Sequence, residues 1–147
     1  MTFIKRAYDI ARKQVYFCNA GDSLARVATL MHTHNIGSIL VKKDTEVAGI
    51  ITVNGMLRHM AKNKDSINTQ AKDIMSSPVV TASYDIEMDE LVDLFNKHKV
   101  SRMVLTDEKK NIVGVVRDIA VYKYMTFYKF DKEAKELFSS EYFNKLF

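Results

Sequence analysis

The feature that most limits how this chain can fold is an internal repeat of sixty-four residues. Residues 22–31 carry apolar side chains at the i, i+3, i+4 and i+7 positions of an amphipathic helix, and the same four positions recur in residues 86–95. The match continues past both helices, where Ile39 aligns with Met103. The chain is therefore predicted to contain two copies of one supersecondary unit.

The offset between the copies grows by one residue at a polar turn. After the turns at 42–46 and 107–111, Gly49 aligns with Gly114 at an offset of sixty-five. Turns tolerate such insertions because they lie on the surface. Each copy is predicted to hold a first strand, a helix, two short strands joined by the turn, and a second helix.

The first strand of each copy is expected at 15–18 and at 78–81. Pro78 opens the second of these strands, at a position where a missing N–H group is tolerated.

Composition narrows the protein class. A chain of 147 residues with 47% apolar content can fill the core of one domain or of two small units. It has no run of 18 apolar residues and no signal-peptide pattern, so a cytoplasmic protein without membrane insertion is expected. The net charge of +4 comes from scattered lysines, which makes nucleic acid an unexpected partner.

Sequence motifs for catalysis or metal binding are absent. There is no GxxxxGK[ST] loop, GxGxxG turn, GxSxG elbow or HExxH helix, and His32 and His34 would point to different faces of a helix. The single Cys18 can form no internal disulfide and is expected to pack as a small apolar side chain. We predict no catalytic residue, no metal site and no required cofactor.

Two segments carry a family resemblance. "HNIGSILV" (34–41) followed by "GIIT" (49–52), and "HKVSRMVL" (98–105) followed by "GVVR" (114–117), resemble the CBS (cystathionine-β-synthase) domain in its usual tandem pair. The resemblance covers roughly residues 14–126. It implies an α/β fold of two CBS-like β-α-β-β-α repeats packed with pseudo-two-fold symmetry, plus a C-terminal helical extension.

The expected organisation follows from these matches. In chain order it comprises an N-terminal arm or helix (1–13), the first repeat (14–62), a connector (63–76), the second repeat (77–126) and the C-terminal extension (127–147).

The resemblance also implies a function. CBS pairs commonly act as non-enzymatic ligand sensors that bind AMP, ADP, ATP or S-adenosylmethionine in clefts between the repeats. Such pairs often form homodimers and regulate an enzyme or a transporter, and we expect the same of this chain.

The family's ligand motif is a Gly-aliphatic-aliphatic-Thr/Ser-x-x-Asp segment, and both copies depart from it. The first copy keeps the hydroxyl as Thr52 but has Gly55 where the ribose-binding carboxylate is expected. The second copy has Arg117 in place of the hydroxyl and Ala120 in place of the carboxylate. Two unequal sites are therefore expected, and the second is better suited to an anion.

The remaining site residues are carried over from the family architecture, in which the first strand of one repeat lines the cleft of the other. The first cleft is expected to consist of Thr52, Ser38, Pro78, Val79, Val80 and Thr81. The second is expected to consist of Arg102, Arg117, Tyr16, Phe17 and Cys18.

Other interpretations of these residues stay open at this point. Val79 and Val80 are equally consistent with plain core packing. One or both of Arg102 and Arg117 could instead form salt bridges to Asp107, Glu108 or Asp118, and helix capping is the main alternative for Asp118.

The C-terminal stretch supports a second functional hypothesis. Residues 121–147 hold nine of the fifteen aromatic side chains, and Phe130, Leu137 and Phe138 keep helical spacing. Such a face must be buried, either on the chain's own core or against a second subunit or partner. The alternative to a sensor is therefore a ligand-free structural or adaptor pair that docks a partner through this aromatic helix.

Overall fold

The computed structural model of the chain describes residues 6–129. Residues 1–5 and 130–147, which include most of the predicted C-terminal extension and its aromatic helix, lie outside the described residues. The chain divides into two compact units. The first unit consists of residues 15–79, and the second unit combines the N-terminal segment up to Gln14 with the chain from Val80 onward.

The first unit contains a three-stranded sheet and two longer helices. Its elements are β1 (Phe17–Asn19), α1 (Leu24–Thr33), β2 (Ser38–Lys43), β3 (Glu46–Thr52), α2 (Val53–Lys62), a 3-10 helix (Ser66–Asn68) and α3 (Ala71–Ile74). The central strand β2 pairs with β1 in parallel and with β3 in antiparallel orientation.

The second unit repeats this arrangement. Its elements are a 3-10 helix (Ala7–Ile10), β4 (Thr81–Ser83), α4 (Met88–His98), β5 (Arg102–Thr106), β6 (Ile112–Arg117) and α5 (Asp118–Lys129). The strand order is β4-β5-β6, again with one parallel and one antiparallel pairing. The predicted α/β fold of two similar repeats is confirmed.

The strand register agrees with the sequence repeat. Ile39 pairs with Ile51 in the first sheet, and Met103 pairs with Val116 in the second. Both antiparallel pairs have an irregularity at the corresponding place, after Val41 and after Leu105. The inserted residue therefore lies in the turn between β5 and β6, as the change of offset predicts.

Each helix buries the face predicted from its periodicity. Leu24, Val27 and Met31 of α1 lie in the core of the first unit. The corresponding residues of α4 are Met88, Leu91 and Phe95, and they lie in the core of the second unit. The Ser23 side chain caps α1 by accepting a hydrogen bond from the Arg26 N–H group at 3.2 Å.

The first strands begin later than predicted. β1 and β4 start at Phe17 and Thr81 rather than at residues 15 and 78. The preceding residues still bond to the central strand through one carbonyl each, because Tyr16 O accepts from Leu40 N at 3.1 Å and Val80 O from Val104 N at 3.1 Å. The stretches 15–16 and 78–80 are thus lead-in segments rather than strand.

The stretch predicted as a polar connector contains regular structure. Ser66 in the short 3-10 helix and Ala71 in α3 are both buried, and Ala71 joins the core of the first unit. The Ala71 N–H group donates to Asp22 O at 2.8 Å. Helices of three or four residues are too short to show a 3.6-residue period, so the sequence pattern missed them.

The N-terminal segment packs on the second unit rather than serving only as an arm before β1. Ala7 N donates to Ile86 O at 3.0 Å, and the Ala7 and Ile10 side chains are buried in the core of the second unit. Arg12 and Val115 exchange two backbone hydrogen bonds of 2.9 Å, which adds a one-residue bridge at the free edge of β6.

The second helix of each unit exposes apolar side chains. Leu57 of α2 and Tyr122 of α5 occupy equivalent positions at the offset of sixty-five, and they are 58% and 45% exposed. No helix within residues 6–129 is long and apolar enough to cross a membrane.

Candidate functional site

In the first unit, the candidate residues Ser38 and Thr52 face each other at the ends of β2 and β3. Thr52 is the N-cap of α2, and its Oγ1 accepts a hydrogen bond from the Gly55 N–H group at 3.1 Å. This hydroxyl therefore stabilises the helix start, while its own hydrogen is free to donate to a ligand.

Gly55, which stands where the family's carboxylate is expected in the first repeat, lies in the first turn of α2. A Cβ atom placed on Gly55 would lie 3.3 Å from Thr52 Oγ1, and no other neighbour lies within 4 Å of it. This contact is tighter than ordinary van der Waals contact, so a side chain at this position would require the Thr52 hydroxyl to shift by a few tenths of an ångström.

In the second unit, Arg102 and Arg117 occupy the positions equivalent to Ser38 and Thr52. They are directly opposite each other on β5 and β6, so both side chains leave the same face of the sheet. Arg102 is half-buried and Arg117 is exposed. The predicted pair of guanidinium groups is therefore brought together.

The electrostatic environment of this pair is cationic. Burial lowers the pKa of Arg102, and the positive charges of Arg117 and Arg12 lower it further, whereas Asp118 opposes the shift. An arginine stays protonated in proteins, so the lowered pKa reflects first the cost of burying its charge and then the repulsion from Arg117 and Arg12.

The carboxylates that could neutralise the pair have other partners. The Asp107 carboxylate accepts from the backbone N–H and the side-chain amide of Asn111 and from the backbone N–H of Lys109, and these bonds lower the pKa of Asp107. Glu108 accepts from the Tyr84 hydroxyl at 3.1 Å.

Asp118 begins α5, and its carboxylate accepts a hydrogen bond from the N–H group of the next residue, Ile119, at 2.7 Å. A capping side chain would accept from a residue two or three positions further on, so the capping role of Asp118 stays a prediction. Within residues 6–126, neither Arg102 nor Arg117 forms an ion pair; the salt bridge there joins Arg6 to Glu87. The salt-bridge interpretation of the two arginines is therefore wrong.

In the second repeat, Ala120 occupies the position where the family's carboxylate is expected. Its side chain is 8% exposed and belongs to the core of the second unit. An ionised carboxylate at this position would be buried among apolar side chains at a high energetic cost. The alanine is thus explained by packing within this unit.

The lead-in residues predicted for the first cleft are divided between the units. Pro78 is exposed and Val79 half-buried in the first unit, whereas Val80 and Thr81 belong to the second. Val80 packs against the core of the second unit, and Thr81 lies beside Val104. Packing is thus observed for Val80, and the ligand contacts of all four stay a prediction.

The residues predicted to complete the second cleft lie in the first unit. The Tyr16 ring stacks on His34 with centroids 4.2 Å apart, and Lys42 Nζ lies 4.2 Å from the Phe17 ring centre. Cys18 is buried, and burial together with the charge of Asp22 raises its pKa to about 11. The expected packing role of Cys18 is observed, and its contact with a ligand stays a prediction.

Sequence reasoning missed Arg12, whose charge acts on Arg102. Nothing in the sequence pattern indicates that residues 7–12 pack on the second unit. Within residues 6–126, no group of three or more His, Cys, Asp or Glu side chains could hold a metal ion.

Comparisons with known proteins agree with this architecture. The chain matches the CBS domain family twice, over residues 7–62 and 71–126. An uncharacterised protein of Methanopyrus kandleri is 30% identical over 110 residues, which are 74% of this chain and 56% of that protein. The chain thus spans little more than half of this relative, and it spans 22% and 38% of two further ones.

Solved structures share the fold. A CBS-domain protein from Agrobacterium tumefaciens has a TM-score of 0.72 at 20% identity. The match covers 82% of this chain and 92% of that protein. A CBS domain pair solved with 5′-methylthioadenosine and S-adenosyl-L-methionine has a TM-score of 0.69 at 24% identity, with coverages of 82% and 95%. Tandem CBS-domain proteins are typically regulatory modules rather than catalysts. The two matches to the family cover most of the chain, which therefore belongs to the CBS-domain family and carries two CBS repeats.

Proposed function

We propose that this chain is a non-enzymatic regulatory module that binds an adenosine-type nucleotide or a related anion, with the phosphate held by Arg102 and Arg117. The observation that carries the proposal is the placement of these two arginines opposite each other, with no ion pair to a carboxylate within residues 6–126. Two unpaired guanidinium groups side by side repel each other, and a bound phosphate would turn that repulsion into attraction.

The start of α5 adds to the attraction for an anion. Arg117 ends β6, and Asp118 begins α5 directly after it, so the positive end of the helix lies beside the arginine pair. Asp118 compensates part of this charge, but its side chain is bonded to the Ile119 N–H group. The local charge balance favours a ligand with at least one phosphate.

Selectivity should follow from what the two repeats lack. Neither Gly55 nor Ala120 can accept hydrogen bonds from ribose hydroxyls through a side chain, so recognition should depend on the phosphate more than on the ribose. AMP, ADP and ATP are therefore expected to bind better than S-adenosylmethionine, which has no phosphate. Regulation then requires that the ligand bind one conformation of the chain, or of a complex with a regulated enzyme or transporter, more tightly than another.

A thermal-unfolding screen of the full chain tests this function. AMP, ADP, ATP, S-adenosylmethionine, NAD and adenosine are added in turn at equal ionic strength. A ligand present at about one hundred times its Kd should stabilise the chain by about 2.7 kcal/mol. We expect a rise in Tm with the phosphate-bearing compounds and a smaller rise, or none, with adenosine. If no compound raises Tm, the sensor function is wrong.

A second candidate function is supported by the apolar surface of α2 and α5. Exposed Leu57 and Tyr122 offer equivalent docking positions for a second copy of the chain or for another protein. In this adaptor function the repeats bind no nucleotide, so the same screen would leave Tm unchanged while the chain still self-associates or captures its partner.

A further inference from the structure

The N-terminal segment of the second unit is fixed by backbone contacts. Tyr8 N donates to Tyr84 O at 3.1 Å, and Arg12 exchanges hydrogen bonds of 2.9 Å with Val115 in both directions. Ala11 packs against the core of the second unit. Arg12 therefore has a defined backbone position at the edge of β6.

The strand register places Arg12 in line with the arginine pair. Arg12 lies opposite Val115 on one side of β6, and Arg117 lies two residues further along the same strand. Residues that face each other across an antiparallel pair, and residues two apart in a strand, share one face of the sheet. The side chains of Arg102, Arg117 and Arg12 thus extend from the same face of the sheet, on three adjacent backbone segments.

This face is the one opposite the core of the unit. Met103 and Val116, which alternate with the arginines along their strands, are buried in the core. A diagonal neighbour in a sheet is about 7–8 Å away, within reach of arginine side chains. The three guanidinium groups can therefore contact one extended ligand.

The row formed by Arg12, Arg102 and Arg117 carries three positive charges with little compensation from carboxylates. The charges of both Arg117 and Arg12 act on Arg102, and Asp118 is the carboxylate that acts against them. Within residues 6–126, the row makes one side-chain hydrogen bond, from Arg102 Nη1 to Ser101 O at 3.3 Å. The other guanidinium donors of Arg12, Arg102 and Arg117 have no hydrogen-bond partner in that range and can therefore bind a ligand.

We propose that Arg12 is a specificity residue that completes a three-arginine row for a di- or triphosphate chain, so that ATP binds more tightly than AMP. The nucleotide part rests on the proposed function, whereas the preference for a phosphate chain rests on the row alone. Arg102 and Arg117 hold the first phosphate, and Arg12 contacts a later one.

The test is calorimetric titration of the full chain with AMP, ATP, orthophosphate and tripolyphosphate at one ionic strength. Arg12→Gln removes the third charge and keeps the backbone bridge. We expect ATP and tripolyphosphate to bind about tenfold more weakly, as for one lost charge-assisted hydrogen bond, and AMP to change by less than about twofold.

Lys13→Gln is the matched control. It removes one charge from the adjacent residue, whose Nζ lies 4.7 Å from the Tyr8 ring centre and whose side chain alternates away from the row. Both variants are checked for unchanged thermal unfolding without ligand, so that a folding defect is recognised.

The outcomes separate the two proposals. Equal weakening of AMP and ATP by Arg12→Gln, or equal effects of Arg12→Gln and Lys13→Gln, would overturn the role of Arg12 and leave the proposed function standing. Arg12-dependent binding of tripolyphosphate without binding of any nucleotide would overturn the proposed function and leave the row standing. If wild type binds none of the four probes, both proposals fail.

Discussion

Replacing Gly49 by alanine is expected to lower the free energy of unfolding by about 3 kcal/mol, the cost of severe overpacking. A Cβ atom on Gly49 would lie 2.5 Å from Met75 Sδ and 2.8 Å from Ser76 O. Ser76 cannot easily move, because it exchanges backbone hydrogen bonds of 3.0 and 2.9 Å with Ile50. Urea denaturation followed by circular dichroism measures the loss.

Two other glycines serve as controls. Gly21→Ala should have little effect, because no atom lies within 4 Å of the added Cβ. Gly114→Ala should cost about 1 kcal/mol, because its Cβ would meet Arg12 O at 3.1 Å and Ala11 Cβ at 3.2 Å. A Gly49→Ala protein as stable as Gly21→Ala would show that the contact with Ser76 is absent in solution.

The double substitution of Arg102 and Arg117 by glutamine is expected to weaken ADP binding about one-hundredfold. Two lost charge-assisted hydrogen bonds at about 1.5 kcal/mol each cost about 3 kcal/mol, and about 1.4 kcal/mol corresponds to each factor of ten, so the expected loss is one-hundredfold or slightly more. The half-buried position of Arg102 strengthens the effect, because solvent screens its charge less than that of an exposed residue. Calorimetric titration of wild type and variant measures the ratio.

The matched control removes the same two charges from exposed positions of the first unit, Arg26 and Arg58. Its ADP affinity should stay within about threefold of wild type, since charges on exposed side chains are largely screened at physiological ionic strength. If both double variants lose affinity equally, the effect arises from net charge, and the arginine pair is not the binding site.

Much of the fold could be predicted because the apolar pattern is duplicated. A period of 3.6 residues in one copy could be coincidence, but its recurrence at Leu24 and Met88 with the following strands in register leaves few alternative folds. The same alignment predicted that Arg102 and Arg117 lie near each other, and the antiparallel register of β5 and β6 places them directly opposite each other.

The position of the N-terminal segment could not be predicted in the same way. Its contacts are backbone hydrogen bonds, such as those between Arg12 and Val115, and they leave no apolar period in the sequence. Asp107 is bonded to Asn111 within its own turn, whereas Glu108 accepts from Tyr84, which lies 24 residues away in the sequence. Neither partner can be read from the apolar pattern. The sequence alone therefore did not show whether nearby carboxylates neutralise the arginine pair.

The most direct test of the central claim is an NMR titration of the arginine side chains. The Nε–Hε resonances of Arg102 and Arg117 are assigned with single Arg→Lys variants, and ADP or adenosine is then added to the labelled wild-type chain. We predict that ADP shifts both resonances, that adenosine does not, and that Arg26 and Arg58 stay in place. Binding of ADP that moves backbone resonances but leaves Arg102 and Arg117 unshifted would contradict the proposed phosphate site.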